Sequence, residues 1–413
     1  FFLLFAFKKY HGTTMCTTVV KDVVDYYLRH GSVVYGCLVD LTKAFDRVRF
    51  DKLFKQLIHR GVAPVDIRAL LDMYNRQKLR TVWRNTFSDC FAATNGIRQG
   101  SIASPSLFSI YMDELLDKLE LDGTGCWKGP HYMGAIGYAD DLVLLCPSIK
   151  GLRRMLHLCE TVGSTLGMKF NPTKSECIKF GKDAETVPMV TLGDKQLMWK
   201  TSVRHLGNYL NRRLNDEDEI QHKRGDLFGR LNLLESHISS APEEVKMPVF
   251  SAKCCHMYGC EAWSLDSKHV KGYWTAWNRC VRILLKLHPA THCRFLPSLA
   301  KTVSARDKAA ERFITLLKSM TNNPNQKIRY VALSSVRDVS SVIGRNLCHL
   351  SKEYGIPKEN LFGTRSLQHG CSYADEAHIA LIAELKMVLQ QRMEIDFLSY
   401  AETKQLIDFL CTM

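Results

Sequence analysis

Two periods of apolar and polar positions run along the chain, and each period predicts one kind of element. Residues 19–28 (VVKDVVDYYL) repeat at helical spacing, and Gly31 follows as a breaker. Residues 33–40 (VVYGCLVD) are rich in β-branched side chains, which predicts a buried strand that ends on Asp40. Residues 136–145 (IGYADDLVLL) predict a hairpin with two adjacent aspartates near its tip. This part of the chain therefore mixes helices with short strands.

The following segments extend this mixture and then change to helix. RTVWRN and CFAATNGI predict a strand pair, a helix is predicted after Pro105, and another helix at 151–166 ends at Gly167. MVTLGDKQLMW predicts a hairpin with Gly193 and Asp194 at its turn. The chain after these elements is charged and helical, as in VKGYWTAWNRCVRILLKL. Alternating short hairpins and helices predict an α+β fold.

Composition adds a preference for polyanionic partners. The 413 residues carry 56 Lys and Arg against 42 Asp and Glu, a formal net charge of +14, which favours nucleic acid or an anionic membrane. The apolar opening FFLLFAF is too short to span a bilayer and predicts no transmembrane segment, and we expect nucleic acid rather than a membrane as the partner. The 15 cysteines are scattered without a disulfide spacing, which predicts reduced thiols in a cytosolic or nuclear protein that is not secreted.

The hairpin tip is the first candidate for chemistry. Asp140 and Asp141 repel each other unless a cation neutralises them, and Mg²⁺ takes oxygen ligands of this kind. Asp40 also ends an apolar strand and is the best candidate for a third carboxylate. Such a set could hold two ions about 4 Å apart and support a nucleotidyl transfer. A plain turn that carries two aspartates is the alternative that the pair alone leaves open.

Five motifs in succession give this pair a context. They are CLVDLTKAFDRV, NGIRQGSIASPSLF, GYADDLVLL, LGMKFNPTKSECIKF and RHLGNYL. In this order they resemble palm motifs A to E of reverse transcriptases, and KAFD and RQG…SP…F resemble the non-LTR (LINE-type) retrotransposon branch. MYGCEAWSLDSKHV and WNRCVRILLKL resemble the thumb of the same family.

The resemblance implies the right-hand fold of polymerases. We expect a palm, which is an antiparallel sheet packed on helices, together with partial fingers at 1–212, a helical thumb at 213–300, and a helical C-terminal region of unknown role at 301–413. The fingers motifs that precede motif A in the family are not recognisable here, so we expect a reverse transcriptase domain that is truncated at its N-terminus.

The resemblance also implies catalytic and metal-binding residues. Asp40, Asp140 and Asp141 match the carboxylates that bind two Mg²⁺ ions, with Mn²⁺ as a substitute, and the Leu41 carbonyl is an additional metal ligand. Lys174 matches the motif D lysine that protonates or neutralises the leaving pyrophosphate. A lysine in a solvated loop is the simpler interpretation of Lys174.

Further matches concern the substrates. Phe45 matches the bulky side chain that excludes a 2′-hydroxyl. The nucleotide pocket is implied to include Gln99, Gly100 and Tyr138. The alternatives are that Phe45 is a core side chain, that Gln99 and Gly100 form a plain turn, and that Tyr138 is a structural strand residue. The primer grip is implied to consist of His205, Leu206 and Gly207.

These matches predict an RNA-directed DNA polymerase of a non-LTR retrotransposon. Its partners would be a template RNA, a primer DNA with a free 3′-hydroxyl, and dNTP, and its location would be the nucleus and cytoplasm in a ribonucleoprotein with the element RNA. Two alternatives remain open. One is a catalytically inactive, truncated or host-retained copy that only binds nucleic acid, and the other is a maturase-like splicing cofactor built on the same palm.

Two other clusters have competing interpretations. Trp274 and Trp277 lie at helical spacing, and such a stripe either forms core or stacks on nucleic acid bases. CCHMYGC at 254–260 contains metal-ligand types, but no C-x₂-C pair is present and structural zinc is disfavoured.

Overall fold

The protein is described by a computed structural model for residues 3–181, residues 188–355 and residue 387. Within these residues no helix is both long enough and apolar enough to cross a membrane. The cysteines that the structure describes are free thiols, most of them buried. The helical C-terminal region expected at 301–413 lies outside the described residues from 356 onwards, apart from Met387.

Contacts between residues group the chain into two compact units. The first comprises Phe1–Cys16 and Tyr27–Thr201, and the second comprises Thr17–Tyr26 and Ser202–Met413. This grouping differs from the three segments expected from the motifs. The division into fingers and palm, thumb and C-terminal region stays a prediction. The segment of motif E, after Thr201, belongs to the second unit.

The first unit combines a small sheet with helices. Its helices are α1 (Thr13–Arg29, whose middle belongs to the second unit), α2 (Phe50–His59), α3 (Pro64–Asn75), α4 (Ser104–Asp122) and α5 (Ile149–Leu166). Its strands are β1 (Val34–Val39), β2 (Lys78–Leu79), β3 (Val82–Trp83), β4 (Thr86–Phe87), β5 (Phe91–Ala92), β6 (Trp127–Lys128), β7 (His131–Tyr132), β8 (Ala135–Tyr138), β9 (Asp141–Cys146), β10 (Glu176–Phe180), β11 (Thr191–Leu192), β12 (Lys195–Gln196) and β13 (Met198–Lys200).

The central sheet has the strand order β13-β10-β1-β9-β8. Strands β10, β1, β9 and β8 pair antiparallel, and β13 joins the edge in parallel to β10. The side chains of β1 and β9 are largely buried, and α4 and α5 pack against the sheet. Because both faces of a central strand need an apolar cover, a continuous apolar run such as LVLLC is what this position requires. The expected α+β fold with a sheet packed on helices is confirmed.

One predicted pairing is wrong. RTVWRN and CFAATNGI were expected to pair with each other, but β3 pairs with β4 to form a hairpin nested inside the β2–β5 pair. Arg84 and Asn85 adopt positive φ angles of 44° and 68°, so the chain reverses there. A two-residue turn of this kind folds a strand directly back on itself, which places the reversal before CFAATNGI.

The second unit is mainly helical, as the helical spacing of its apolar residues predicts. A hairpin of β14 (Ser202–His205) and β15 (Asn208–Asn211) precedes α6 (Glu217–Ile238), α7 (Glu243–Val249), α8 (Lys268–Leu284), α9 (Leu296–Leu299), α10 (Ala305–Thr321), α11 (Gln326–Arg337) and α12 (Val342–Tyr354). Val270, Trp277 and Val281 on α8 are buried. The helical stripe predicted from their spacing is therefore confirmed as core, with Trp274 only half-buried beside it.

Candidate active site

The paired aspartates lie at the tip of the β8–β9 hairpin. Tyr138 is paired with Asp141 across the hairpin, which leaves Ala139 and Asp140 as its two-residue turn. Ala139 has a φ of 55°, a left-handed conformation that costs a residue with a Cβ about 1–2 kcal/mol. The tight turn therefore holds both carboxylates at the end of the sheet at some cost in stability.

Asp40 reaches the same end of the sheet from the neighbouring strand. Strand β1 pairs antiparallel with β9 so that Val39 faces Leu142, and the next step of that register brings Asp40 beside Asp141. The Asp40 backbone is fixed from the other side, because its N–H donates to Ser175 Oγ at 3.1 Å and its carbonyl accepts from the Asn171 N–H at 2.8 Å. The structure thus brings the three predicted carboxylates into one neighbourhood.

The pKa of the Asp141 carboxyl responds to its surroundings. Partial desolvation of the Asp141 carboxyl, followed by repulsion from Asp140 and Asp40, raises the pKa of Asp141 to about 6. The residue Asp141 as a whole is exposed to solvent. The raised pKa therefore reflects the local surroundings of its carboxyl group and the neighbouring negative charges. A cation bound beside these carboxylates would therefore be stabilising.

The donor set fits a hard divalent cation by its chemistry. Three carboxylates at adjoining strand ends offer only oxygen ligands, which is what Mg²⁺ and Mn²⁺ prefer. Within the described residues, no three His, Cys, Asp or Glu side chains converge closely enough to form a preformed metal site. The fit therefore rests on the oxygen donors and on the negative charges of Asp140 and Asp40, which add to desolvation in raising the Asp141 pKa.

The loops of motifs A and B meet beside this end of the sheet. The backbone N–H groups of Ile97 and Gly96 donate to the carbonyls of Phe45 and Val48 at 2.9 and 2.8 Å. The Phe45 ring is half-buried and stacks on Phe108 with centroids 4.5 Å apart. This packing fixes the position of the predicted steric side chain while leaving part of its ring accessible.

Gln99 and Gly100 are both exposed in the motif B loop. Gln99 Nε2 donates to Asp46 Oδ1 at 3.2 Å, which links the side chains of the two loops. Gly100 has a φ of +83° and no atom within 4 Å of where a Cβ would stand. The loop therefore has open space at this glycine, as a site that admits a substrate requires.

Gly96 and Gly100 make a matched pair for a stability measurement. Both have positive φ, but a Cβ on Gly96 would lie 2.9 Å from the Asp46 carbonyl oxygen, whereas a Cβ on Gly100 would contact nothing. We expect Gly100→Ala to lower the free energy of unfolding by about 1–2 kcal/mol, and Gly96→Ala to lower it by at least about 1 kcal/mol more. Equal losses in denaturant unfolding would show that the two loops do not meet at Gly96.

The other predicted residues of the first unit lie as follows. Leu41 is buried and forms an isolated antiparallel bridge with Phe170 just beyond β1. Lys174 is exposed in the turn that follows Asn171, and its side chain makes no hydrogen bond or ion pair with the described residues. Tyr138 is half-buried on β8. These placements are compatible with the predicted roles and do not test them.

The predicted primer-grip residues belong to the second unit. Leu206 and Gly207, with φ of 46° and 81°, form the two-residue turn between β14 and β15. The Tyr258 hydroxyl donates to the Leu206 carbonyl at 2.8 Å, and a Cβ on Gly207 would lie 3.1 Å from the Tyr258 ring. Tyr258 therefore braces this turn, a contact that sequence patterns did not predict.

His205 is expected to make the protein acid-sensitive. It is 3% exposed, neither ring nitrogen has a hydrogen-bond partner among the described residues, and burial lowers its pKa to about 4. An unfolded chain takes up a proton near pH 6.5 that the folded state refuses, so stability is lost as pH falls from about 6.5 towards 4.

We expect the parent protein to lose about 3 kcal/mol more than His205→Leu between pH 7 and pH 4, because a shift of one pKa unit corresponds to 1.36 kcal/mol. Denaturant unfolding at several pH values measures this difference. His157→Gln is the control, since the His157 side chain is 82% exposed. A parent and a His205→Leu variant with the same pH dependence would contradict a buried neutral imidazole.

Residues that position the site were missed from sequence. Asn171 and Ser175 hold the Asp40 backbone, Ser175 Oγ also donates to the Asn171 carbonyl at 2.8 Å, and Ser104 Oγ donates to the Arg98 carbonyl of motif B at 2.6 Å. An available signal was the Asn-Pro pair of FNPT, because Asn-Pro favours turn initiation. Nothing in the local pattern indicated that this turn would bond to Asp40.

Comparison with known proteins identifies the class. A family model described as "Reverse transcriptase (RNA-dependent DNA polymerase)" matches residues 2–210, just over half of the 413 residues. The chain therefore belongs to the reverse transcriptase family. The motif resemblance is confirmed, and the branch is that of non-LTR retrotransposons, to which the similar curated proteins belong.

Two of those relatives are polyproteins of R2 elements. The chain is 30% identical over 172 residues to the Pol polyprotein of a type-1 element R2 of Nasonia vitripennis, over 40% of this chain and 17% of that protein. It is 28% identical over 157 residues to that of the type-2 element R2DM of Drosophila melanogaster, over 38% of this chain and 15% of that protein. The matches thus span about a sixth of these relatives.

Solved structures similar to the chain include telomerases. The apo telomerase of Candida Tropicalis has a TM-score of 0.42 and 11% identity, with 78% of this chain and 56% of that chain covered. The Candida albicans telomerase in complex with a fragment of telomeric RNA has a TM-score of 0.37 and 10% identity, with 86% and 52% covered.

Proposed function

We propose that this chain extends the 3′-hydroxyl of a DNA primer on an RNA template, as the polymerase of a non-LTR retrotransposon. The observation that carries the proposal is the group of Asp40, Asp140 and Asp141 at one end of the sheet, where desolvation of the Asp141 carboxyl, with repulsion from the other two, raises the Asp141 pKa to about 6. A structural turn gains nothing from three neighbouring carboxylates, whereas a centre that binds divalent cations requires them.

The three aspartates, with the Leu41 carbonyl as an additional ligand, would hold two Mg²⁺ ions. Bound ions of this kind lower the pKa of an attacking hydroxyl and neutralise charge on the leaving oxygen. Mn²⁺ meets the same oxygen preference. The chain's own contribution is to position the carboxylates, which the hairpin turn and the hydrogen bonds to the Asp40 backbone do.

The motif A and B loops would form the nucleotide pocket. The Phe45 ring, which is held against Phe108, would collide with a ribose 2′-hydroxyl. Gln99 can donate and accept hydrogen bonds, the open space at Gly100 admits the substrate backbone, and Tyr138 lies beside the aspartates on β8. This assignment makes the pocket selective for dNTP.

Lys174 and the motif E turn complete the proposal. The Lys174 ammonium is exposed and uncommitted within the described chain, so it is available to donate a proton to the leaving pyrophosphate or to neutralise its charge. His205, Leu206 and Gly207 would position the primer end. We place the protein in the nucleus and cytoplasm, in a ribonucleoprotein with its template RNA.

Primer extension tests this function. The full chain is incubated with dNTP, Mg²⁺ and a DNA primer annealed to RNA, and in parallel with a chelator or with a DNA template. We expect extension on the RNA template that requires the metal. Binding of the primed RNA without extension under any metal would overturn the polymerase and support the competing function, a nucleic-acid-binding protein without catalysis, which the net charge of +14 favours no more than it favours the polymerase.

A further inference from the structure

A pocket of about 490 Å³ lies within the second unit, among residues beyond the reverse transcriptase match. Its lining includes Trp274, Trp277, Asn278, Cys293, Arg294 and Arg306. The volume falls in the range of about 300–1,000 Å³ that small-molecule sites occupy. Aromatic rings together with cationic and amide side chains suggest a planar, anionic ligand.

The aromatic wall is rigid and partly open. Trp277 is 4% exposed and belongs to the core, whereas Trp274 is half-buried. The Trp274 ring is fixed by an edge contact with Tyr273, at a centroid distance of 5.8 Å, and by a tilted contact with Trp263 at 6.0 Å. A ring that is held from behind and open in front is a surface on which a base can stack with little loss of side-chain entropy.

Some polar groups of the lining already have hydrogen-bond or ion-pair partners within the described part of the protein, and others do not. Arg306 pairs with Glu353 at 2.7 Å, and Asp307 beside it accepts hydrogen bonds from the Ser304 and Tyr354 hydroxyls, each at 2.6 Å. Arg294 is exposed, and neither its guanidinium nor the Asn278 amide makes a hydrogen bond with the part of the chain that the structure describes. A cation and an amide are thus available to a ligand at the wall formed by Trp274.

We propose that this pocket binds one nucleotide of a single-stranded nucleic acid, with its base stacked on Trp274 and its phosphate paired with Arg294. The Asn278 amide can donate to and accept from the edge of a base. Single-strand binders combine these same elements, aromatic platforms and cations. The inference goes beyond the proposed polymerase and does not depend on nucleotide incorporation.

Binding by the full chain in the absence of divalent metal tests the pocket. The probe is a fluorescent single-stranded RNA about 12 nucleotides long, within the usual footprint of single-strand sites, and the readout is anisotropy. Because one stacked base is worth about 1–3 kcal/mol, Trp274→Ala is expected to raise Kd at least about fivefold. Arg294→Gln is expected to raise Kd several-fold. Lys271→Gln, which removes an exposed charge outside the pocket from α8, the helix of Trp274, is not expected to raise it.

Cys293 provides a readout at the site itself. Its thiol is exposed and lines the pocket, so bound RNA should slow its alkylation by N-ethylmaleimide, and this protection should be lost in Arg294→Gln. Cys90, an exposed thiol of the first unit, is the internal reference. Protection by the RNA but not by AMP assigns the site to a strand, whereas protection by AMP at a lower concentration than by RNA would overturn that assignment in favour of a free nucleotide.

Unchanged Kd in Arg294→Gln together with unprotected Cys293 would overturn the proposal altogether. Arg294 is an exposed residue, so its variant keeps the test decisive if Trp274→Ala fails to fold. A protein that binds RNA through this pocket but does not extend a primer would refute the polymerase alone. A protein that extends a primer, with Cys293 unprotected and Kd unchanged in Arg294→Gln, would refute the pocket alone.

Discussion

Replacing Asp40 by asparagine is expected to lower dNTP incorporation at least about 10³-fold, because metal ions contribute several kcal/mol of transition-state stabilisation and each 1.36 kcal/mol is tenfold in rate. The substitution keeps the size of the side chain and removes one of the charges that raise the Asp141 pKa. The Asp40 backbone bonds to Ser175 and Asn171 do not involve the carboxyl, so the fold should persist. Single-nucleotide incorporation on a primed RNA template measures the loss.

Asp194→Asn is the matched control for Asp40→Asn. Asp194 lies exposed in the turn between β11 and β12, and the same charge is removed there. Full activity of this control, with unfolding of both variants at the parent's denaturant midpoint, would assign the loss to the Asp40 carboxylate. An active Asp40→Asn variant would remove Asp40 from the catalytic set.

Phe45→Ala is expected to reduce the preference for dNTP over rNTP by up to about 10²-fold, the scale on which a pocket rejects an added hydroxyl. Without the ring, the space that Phe45 takes beside Phe108 becomes available to the ribose 2′-oxygen. The ratio of kcat/KM for dCTP and CTP on one RNA template measures this change.

Phe108→Leu separates the steric role of Phe45 from its packing. Phe108 is buried and stacks on Phe45, so its replacement loosens the support but leaves the Phe45 ring in place. We expect Phe108→Leu to lower stability and to keep most of the selectivity for dNTP. Equal loss of selectivity in both variants would mean that Phe45 acts as a core residue.

The sequence predicts the strand and hairpin of the site because their signals are local. β1 is a continuous apolar run that ends at Asp40, and the hairpin tip at Asp140 and Asp141 is bounded by apolar runs on both sides. Each feature depends on neighbours within a few residues. The helix after Pro105 and the turn at Gly193 were predicted for the same reason.

Long-range contacts are what the sequence could not predict. The turn at Asn171 bonds to the backbone of Asp40 from more than a hundred residues away. Strand β13 pairs in parallel with β10, and the local sequence of these two strands does not indicate the direction of pairing. Residues Thr17–Tyr26 group with the second unit although their helix begins in the first. Partners of this kind are set by tertiary packing rather than by local periodicity.

Dependence of incorporation on the hairpin carboxylate tests the central claim most directly. The unchanged chain and Asp140→Asn are compared at equal concentration in the extension of a DNA primer on an RNA template with Mg²⁺. If Asp40, Asp140 and Asp141 form the catalytic centre, the unchanged chain incorporates nucleotide and Asp140→Asn incorporates none above background. Equal incorporation by the two proteins, or binding of the primed RNA by both without incorporation, would contradict it.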